Sequence, residues 1–259
     1  MYYLRDGLGA KKGCKTVGKV LAAAFSVFCF LASFGIGNMT QVNSISGNVY
    51  SVFGVPTWAT GIVMLILCGL VIVGGLKRIA TVTEKIVPFM VLIYMVGTIA
   101  ILVKNFAMIP AVFTAIFEGA FALKAAGGGI VGYGIKLAIE QGMKRGVFSN
   151  EAGLGSSVMV HSNSNVREPV RQGMWGIFEV FADTMVVCTL TAFTVLSSGL
   201  IDLDTGIAVT EYAGVELTKA NLVSTVFTMN FGWLGGAFVA IAIVLFAYST
   251  VLGWSHYGS

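Results

Sequence analysis

The sequence predicts an all-α membrane protein, a polytopic bundle of about six transmembrane helices, and three observations support this prediction. Of the 259 residues, 56% are hydrophobic and only 11% are charged, whereas soluble domains usually carry about 25% charged residues. The apolar residues form runs of roughly 20, the length of helix that crosses a bilayer. The 33 glycines against 4 prolines suit membrane helices, in which glycine permits close packing.

The apolar runs define six predicted spans in a single transmembrane domain that covers the whole chain, 1–259. A polar segment with Gly and Pro separates the first two spans, and basic residues precede the third. The fourth span is the poorest, because it holds several charges and glycines. The fifth is apolar except for Glu179 and Asp183, and the sixth carries no charge. The predicted spans are residues 20–38, 56–76, 86–103, 132–161, 171–198 and 233–254.

The charges between the spans predict an orientation. The N-terminal leader is basic, with Lys11, Lys12 and Lys15 among its cations, and the loop between the fifth and sixth spans is acidic. Basic and non-basic loops alternate if the poor fourth span crosses once. By the positive-inside rule the leader is then cytoplasmic, in a multi-pass protein of the plasma membrane.

Composition argues against other classes of protein. The four cysteines are scattered and the two histidines, His161 and His256, lie far apart, so neither a metal site nor a disulfide is predicted. No basic patch suggests nucleic acid. The sequence lacks the HExxH motif or Ser–His arrangement expected of an intramembrane enzyme. It also lacks the repeated filter that a channel would need. The expected partners are the lipid bilayer and a small solute; the oligomeric state is open.

Residues 142–157 carry the polarity that fits a lipid-facing helix least. Glycines weaken helical order there by about 1 kcal/mol each relative to alanine, and Ser149, Asn150, Ser156 and Ser157 can bond to freed backbone groups. A broken helix at membrane depth offers N–H groups to a carboxylate and carbonyls to a cation. The alternative is an ordinary polar loop, against which the charge alternation argues.

Five motifs occur in an order that resembles the alanine or glycine:cation symporter family. The resemblance covers essentially the whole chain and implies a LeuT-like fold, in which two inverted five-helix repeats have broken first and sixth helices. It implies sodium-coupled, or sometimes proton-coupled, uptake of alanine or glycine, with sodium as the coupling ion and no other cofactor. The motifs are FGIGNMTQ (34–41), GVFSNEAGLGS (146–156), VRQG (170–173), Asp183-Thr184 with Cys188-Thr189, and FAYSTVLGW (246–254).

The resemblance also implies a substrate site. Gln41 and Trp254 would contact the amino acid, and the Phe148 ring would close over it. The alternatives are purely structural roles. Gln41 and Phe148 would pack between helices, and Trp254 would be an aromatic residue at the membrane interface. The full set of implied substrate contacts is Gln41, Phe148, Ser149, Asn150, Thr250 and Trp254.

Two adjacent hydroxyls in the sixth span, Ser249 and Thr250, are the implied sodium ligands, since hard cations prefer oxygen. Their alternative is bonding to the carbonyls of the preceding turn.

The charges inside the predicted spans suggest a separate, structural role. Glu179 and Asp183 are four residues apart and share a helix face, where like charges need partners. We expect a buried ion-pair network that joins the broken helix to the fifth span and consists of Lys144, Arg145, Glu151, Glu179 and Asp183.

The resemblance places this chain on helices three to eight of the family's fold. The broken first helix of that fold, which supplies much of the substrate and sodium coordination, has no counterpart here. We therefore expect sodium-coupled symport from a larger transporter that contains this chain and no transport from these 259 residues alone. The alternative is a truncated, non-transporting remnant of such a symporter.

Overall fold

The structure, a computed structural model, is almost entirely helical. It describes residues 2–121, 139–144, 146, 149–151, 153–212, 214–217 and 221–258. These residues form two compact units. Unit 1 comprises Met1–Pro88 and Ile243–Ser259, and unit 2 comprises Phe89–Ala242.

Unit 1 begins with a short π-helical segment, Tyr3–Leu8, followed by a 39-residue apolar helix, Lys15–Phe53. The long helix consists of α1 (Lys15–Ala32), a π-helical segment that we call πA (Ser33–Met39), and α2 (Thr40–Phe53). It ends at Gly54, whose φ of 69° is left-handed and suits glycine.

The helix continues through residues 43–53, which were expected to form a polar connection between the first two spans. The reason lies in how its polar side chains bond. Ser44 donates to Thr40 O at 2.9 Å, and Asn48 donates to Ser44 O at 3.0 Å. Because these side chains donate to carbonyls one turn back, the helix tolerates them.

Two further helices complete the first half of the chain. α3 covers Thr57–Ile72, and after the short link at Val73 and Gly74, α4 covers Gly75–Lys104. The basic residues expected in a loop before the third span therefore lie on α4. Lys and Arg are good helix formers, and their long side chains reach outward from the helix surface.

The core of unit 1 is formed where the C-terminal half of the last helix, α10 (Trp233–Tyr257, numbered in chain order), packs against α2 and α3. Tyr248 is buried there and its hydroxyl donates to Leu67 O at 3.1 Å. The core residues are Ile45, Met64, Cys68, Val71, Ala247, Tyr248, Val251 and Leu252.

Unit 2 holds the C-terminal half of α4 and the helices that follow. Three of them are α5 (Ile109–Phe121), the short α6 (Ser157–His161) and α9 (Leu222–Phe231). The fourth is continuous over 28 residues: α7 (Pro169–Val180), a second π-helical segment that we call πB (Phe181–Cys188), and α8 (Thr189–Leu196).

The core of unit 2 centres on Phe227, which is 1% exposed. Its ring stacks on Tyr94 and on Phe238, with ring centroids 6.2 and 5.5 Å apart. The Tyr94 hydroxyl lies 2.8 Å from Thr191 Oγ1, which ties α4 to α8. A Cβ on Gly97 would lie 2.9 Å from the Phe227 ring, so this glycine allows the close approach.

The acidic loop between α8 and α9 contains a small departure from all-α structure. Two short strands, β1 (Glu211–Tyr212) and β2 (Val215–Glu216), pair antiparallel. Nearby, Asp202 Oδ1 accepts the N–H groups of Thr205 at 3.1 Å and Asp204 at 2.8 Å. These backbone donors lower the pKa of the exposed Asp202 carboxyl.

The all-α membrane fold predicted from composition is confirmed. Among the described residues, four helices are long and apolar enough to cross a membrane. They overlap the predicted spans 20–38, 86–103, 171–198 and 233–254. The predicted span 56–76 corresponds to α3, an apolar helix of 16 residues, and 11 of the 30 residues of the span 132–161 lie outside the described residues. The LeuT-like arrangement of these helices stays a prediction. The four long helices are Lys15–Phe53, Gly75–Lys104, Pro169–Leu196 and Trp233–Tyr257.

The bond from Tyr248 to Leu67 predicts a measurable contribution to stability. Replacing Tyr248 by Phe removes one buried hydrogen bond, which we expect to lower the free energy of unfolding by about 0.5–1.5 kcal/mol. Thermal unfolding of the purified protein in detergent measures this change. Tyr50→Phe is the matched control, because Tyr50 is 59% exposed. Equal melting temperatures for Tyr248→Phe and the wild type would contradict the assignment.

Candidate functional site

The π-helical segments πA and πB each overlap a sequence motif. πA shares residues 34–39 with the motif 34–41, and πB contains Asp183, Thr184 and Cys188. In πA the backbone N–H of Thr40 bonds to Gly35 O, five residues back. π-helical turns are rare and are often found at functional sites. Sequence reasoning did not predict them; the glycines and Asn38 in 34–41 are the only hint.

In unit 1, the motifs 34–41 and 246–254 meet through Gly37 and Trp254. Trp254 is 5% exposed. A Cβ added to Gly37 would lie 2.5 Å from Cγ and Cδ2 of the indole, so only glycine leaves room for the ring. Tyr257 packs edge-on against Trp254, with centroids 5.1 Å apart. Trp254 is therefore a buried packing residue, and its contact with substrate stays a prediction.

Gln41 lies beside the same region, in the first turn of α2 directly after πA, and is half-buried. The segment before it is held by Asn38, whose Nδ2 donates to Ser33 O at 2.6 Å. This bond caps a carbonyl within the widened π-helical turn. The predicted substrate residues Gln41, Thr250 and Trp254 all belong to unit 1.

The predicted sodium ligands Ser249 and Thr250 bond to one carbonyl in the preceding turn. Ser249 Oγ donates to Phe246 O at 2.8 Å, and Thr250 Oγ1 donates to the same oxygen at 3.0 Å. This is the alternative stated for both hydroxyls, which is bonding to a carbonyl of the preceding turn. It also fixes both hydroxyl protons toward Phe246, so the oxygen lone pairs of both side chains remain available as acceptors.

In unit 2, the backbone leaves the helical conformation at the position where the sequence predicts a break. Residues 149 and 150 are helical, a turn follows, and α6 starts at Ser157. Glu151 has a φ of 56°, which is uncommon for a residue other than glycine and is frequent at functional sites. Its carboxylate accepts a bond from Ser156 Oγ at 2.8 Å, which closes the turn.

The residues before this turn contact πB. Ser149 Oγ donates to Asp183 Oδ2 at 2.5 Å and lies 3.3 Å from Cys188 Sγ. Because the Ser149 proton goes to the carboxylate, the Cys188 thiol is the donor in the second contact. Asn150 Nδ2 donates to Thr184 Oγ1 at 3.0 Å. The motifs 146–156 and 183–189 are therefore joined by side-chain hydrogen bonds.

The described contacts of three members of the predicted ion-pair network are with other groups, and the network stays a prediction. Lys144 pairs with Glu140 one turn back, Glu179 lies 3.3 Å from the ring of His161, and Asp183 accepts from Ser149. The side chains of Lys144 and Glu179 are 61% and 57% exposed, so neither is buried. The physical reason is proximity: each charge has a nearer partner than the distant charge assumed.

Arg145 and Phe148 lie outside the described residues. Glu151, the remaining member of the predicted network, bonds to Ser156 within its own turn.

Sequence reasoning missed His161 and Gln172. The last residue of α6, His161, lies against α7, where its Nδ1 is 2.7 Å from Gln172 Nε2. Gln172 belongs to the motif 170–173, and that membership could have drawn attention to it. Neither residue has a role assigned by the motif itself.

Comparison with known proteins points to one family. The model of the sodium:alanine symporter family matches residues 1–259. The sodium/alanine symporter AgcS of Methanococcus maripaludis is 41% identical over 258 residues, which are 100% of this chain and 53% of that protein. An uncharacterized transporter of Haemophilus influenzae is 36% identical over 260 residues, 100% of this chain and 53% of its own length.

The name of a third relative includes the proton beside sodium. It is the putative sodium/proton-dependent alanine carrier protein YrbD of Bacillus subtilis, 36% identical over 256 residues, 98% of this chain and 50% of that protein. The chain thus spans about half the length of these curated relatives.

The contact between Gly37 and Trp254 predicts that alanine lowers the stability of the protein at one glycine of πA and does not lower it at another. Gly37→Ala places a methyl group against the buried indole, and we expect overpacking to destabilise the protein by about 1–3 kcal/mol. Gly35→Ala is the matched control, because nothing lies within 4 Å of its Cβ position. Alanine there should leave stability unchanged or raise it slightly. Thermal unfolding in detergent measures both.

A double variant separates the indole clash from any general effect on πA. Adding Trp254→Leu to Gly37→Ala should cost less than the sum of the two single changes, because the smaller side chain leaves room for the methyl group. Additive losses would mean that Gly37 and Trp254 do not contact each other.

Proposed function

Because this chain belongs to the sodium:alanine symporter family, we propose that it is part of a transporter that couples sodium to uptake of a small neutral amino acid, alanine or glycine, across the cell membrane. The chain is a multi-pass membrane protein, and its family is one of transporters, not of enzymes. The observation that carries the proposal is the interrupted helix at 151–156, anchored to πB by Ser149 and Asn150.

An interrupted helix suits an amino-acid substrate for a simple reason. Peptide groups outside the regular hydrogen-bonding ladder can bind a carboxylate through N–H or a cation through C=O, and membrane proteins place such irregular backbone where it lines a cavity. The turn with positive φ at Glu151 and Gly155 is backbone of this kind. Its anchoring to πB keeps the unwound segment in one position.

Each unit has its own set of proposed substrate contacts. In unit 1 they are Gln41, Thr250 and Trp254, where an amide and a hydroxyl can bond to the polar groups of the amino acid. The tight fit of the indole on Gly37 favours a small substrate. In unit 2 they are Ser149 and Asn150, with Phe148 carried over from the family resemblance.

Sodium is the proposed coupling ion, and Ser249 and Thr250 are its proposed ligands. Both hydroxyl protons point to Phe246 O, so the two side-chain oxygens present lone pairs, which is what a hard cation requires. The basic leader supports a cytoplasmic N-terminal end.

The test of this proposal is uptake of labelled alanine by cells that lack their own alanine carriers. The larger transporter that contains this chain is expressed, and uptake is compared in sodium and in choline buffer. We expect saturable, sodium-dependent uptake that excess glycine inhibits. Protein that reaches the membrane but takes up no alanine would support the alternative, a non-transporting remnant.

Altering the sodium ligands should change sodium affinity more than alanine affinity. For Ser249→Ala and for Thr250→Val we expect the sodium concentration at half-maximal uptake to rise about tenfold, equivalent to roughly 1.4 kcal/mol. Ser255→Ala is the matched control, since Ser255 lies on the same helix and likewise bonds to a carbonyl one turn back, Leu252 O at 2.7 Å. If all three variants shift sodium dependence equally, Ser249 and Thr250 are not the ligands.

A further inference from the structure

His161 connects two helices of unit 2 through both nitrogens of its ring. Nδ1 lies 2.7 Å from Gln172 Nε2, and Nε2 lies 3.3 Å from Glu179 Oε2. Gln172 and Glu179 are seven residues apart on α7, which is two helical turns, so they share one face. The end of the short helix α6 is thus fastened to α7 at two points.

The chemistry of the partners fixes the tautomer of the ring. The Gln172 Nε2 group only donates, so Nδ1 of neutral His161 carries a lone pair and the ring proton is on Nε2. Nε2 lies 3.3 Å from the Glu179 carboxylate, whose negative charge favours the proton at that position.

The same three side chains can also accommodate one more proton. Protonation adds a hydrogen to Nδ1, and rotation of the Gln172 amide by half a turn presents its oxygen in place of its nitrogen. The hydrogen bond to Gln172 therefore persists, while the Glu179 contact becomes an ion pair and gains strength. Imidazole is the side chain whose charge ordinarily changes between pH 5 and 8.

A cavity of about 520 Å³ gives solvent access to this site. The His161 side chain is 24% exposed, and hydroxyl groups of the lining offer water further partners. The polar residues of the lining are Ser157, His161, Ser162, Ser164 and Gln172.

The other charged groups on the neighbouring segments have different surroundings. Arg167 and Glu168, in the link between α6 and α7, and Arg171, on the first turn of α7, are exposed. Glu151 accepts from Ser156, and Asp183 accepts from Ser149. Of the described contacts of His161 with charged groups, the one to Glu179 is the contact that protonation strengthens.

We propose that His161, Gln172 and Glu179 form a proton-binding clamp that holds α6 to α7 more firmly when protonated. The proposal rests on the proposed function, because α6 directly follows the interrupted helix assigned to substrate binding. A firmer clamp restrains the segment that follows that site, so acidification slows uptake through His161. His161 acts here as a positioning residue and does not contact the substrate.

The test compares the pH profiles of sodium-driven alanine uptake by the larger transporter that contains this chain, as wild type and with His161→Gln. Glutamine can still donate an N–H to Glu179 but does not titrate. We expect wild-type uptake to fall between pH 7.5 and 5.5 by about two- to fivefold more than uptake by the variant, the range that a partly exposed ion pair supplies. Glu179→Gln should flatten the profile in the same way. His256→Gln, which changes the other histidine, should keep the wild-type profile.

Identical profiles for the wild type, His161→Gln and Glu179→Gln would overturn the clamp. If the wild type shows no uptake at any pH, the proposed function is refuted but the clamp is not. A second measurement then tests the clamp by itself. Nitrogen-15 NMR of the purified protein, with the His161 signal assigned by its loss in His161→Gln, should show the Nε2–H tautomer at pH 8.5. An Nδ1–H tautomer would refute the geometry of the clamp.

Discussion

Satisfying backbone hydrogen bonds without water is the constraint on which this structure depends, since a free N–H or C=O in hydrocarbon costs several kcal/mol. The chain responds with long helices, one of 39 residues and one of 30. Many serines, threonines and asparagines of the apolar helices bond to carbonyls one turn back, as Ser44, Thr98 and Thr194 do. Polar side chains in the long helices are therefore compatible with the membrane because each helix supplies their partners.

The same constraint makes departures from regular helix informative. Among the described residues they include πA, πB and the turn after Asn150, and side-chain hydrogen bonds lie at each of these three places. Asn38 caps Ser33 O, Ser156 bonds to the Glu151 carboxylate, and Ser149 and Asn150 bond to side chains of πB. All three places overlap sequence motifs. Irregular backbone that is costly and yet braced is expected where peptide groups are needed for binding.

Hydropathy predicts the helices well and their ends poorly. The long apolar runs predict the helices because burial in lipid dominates local preference. The polar stretch 43–53 looks like a loop in sequence, since the bonding of Ser44 and Asn48 to their own helix is invisible there. The π-helical turns could not be predicted, because a shift from four to five residues per bond depends on packing, as with Trp254 on Gly37. The charges within the spans did predict that residues near 150 and near 183 belong to one region; the described bonds there are hydroxyl and amide contacts.

The direction of hydroxyl protons separates the roles of the predicted site residues. Ser249 and Thr250 both give their protons to Phe246 O, and their oxygens then face outward as acceptors, which suits a cation. Ser149 gives its proton to Asp183 and receives one from the Cys188 thiol, so its hydroxyl is largely used within the protein. The side chain of Ser149 thus holds the interrupted helix in place, and any contribution of this residue to substrate binding comes from its backbone. A sequence motif marks both kinds of serine equally; the partner of each proton distinguishes them.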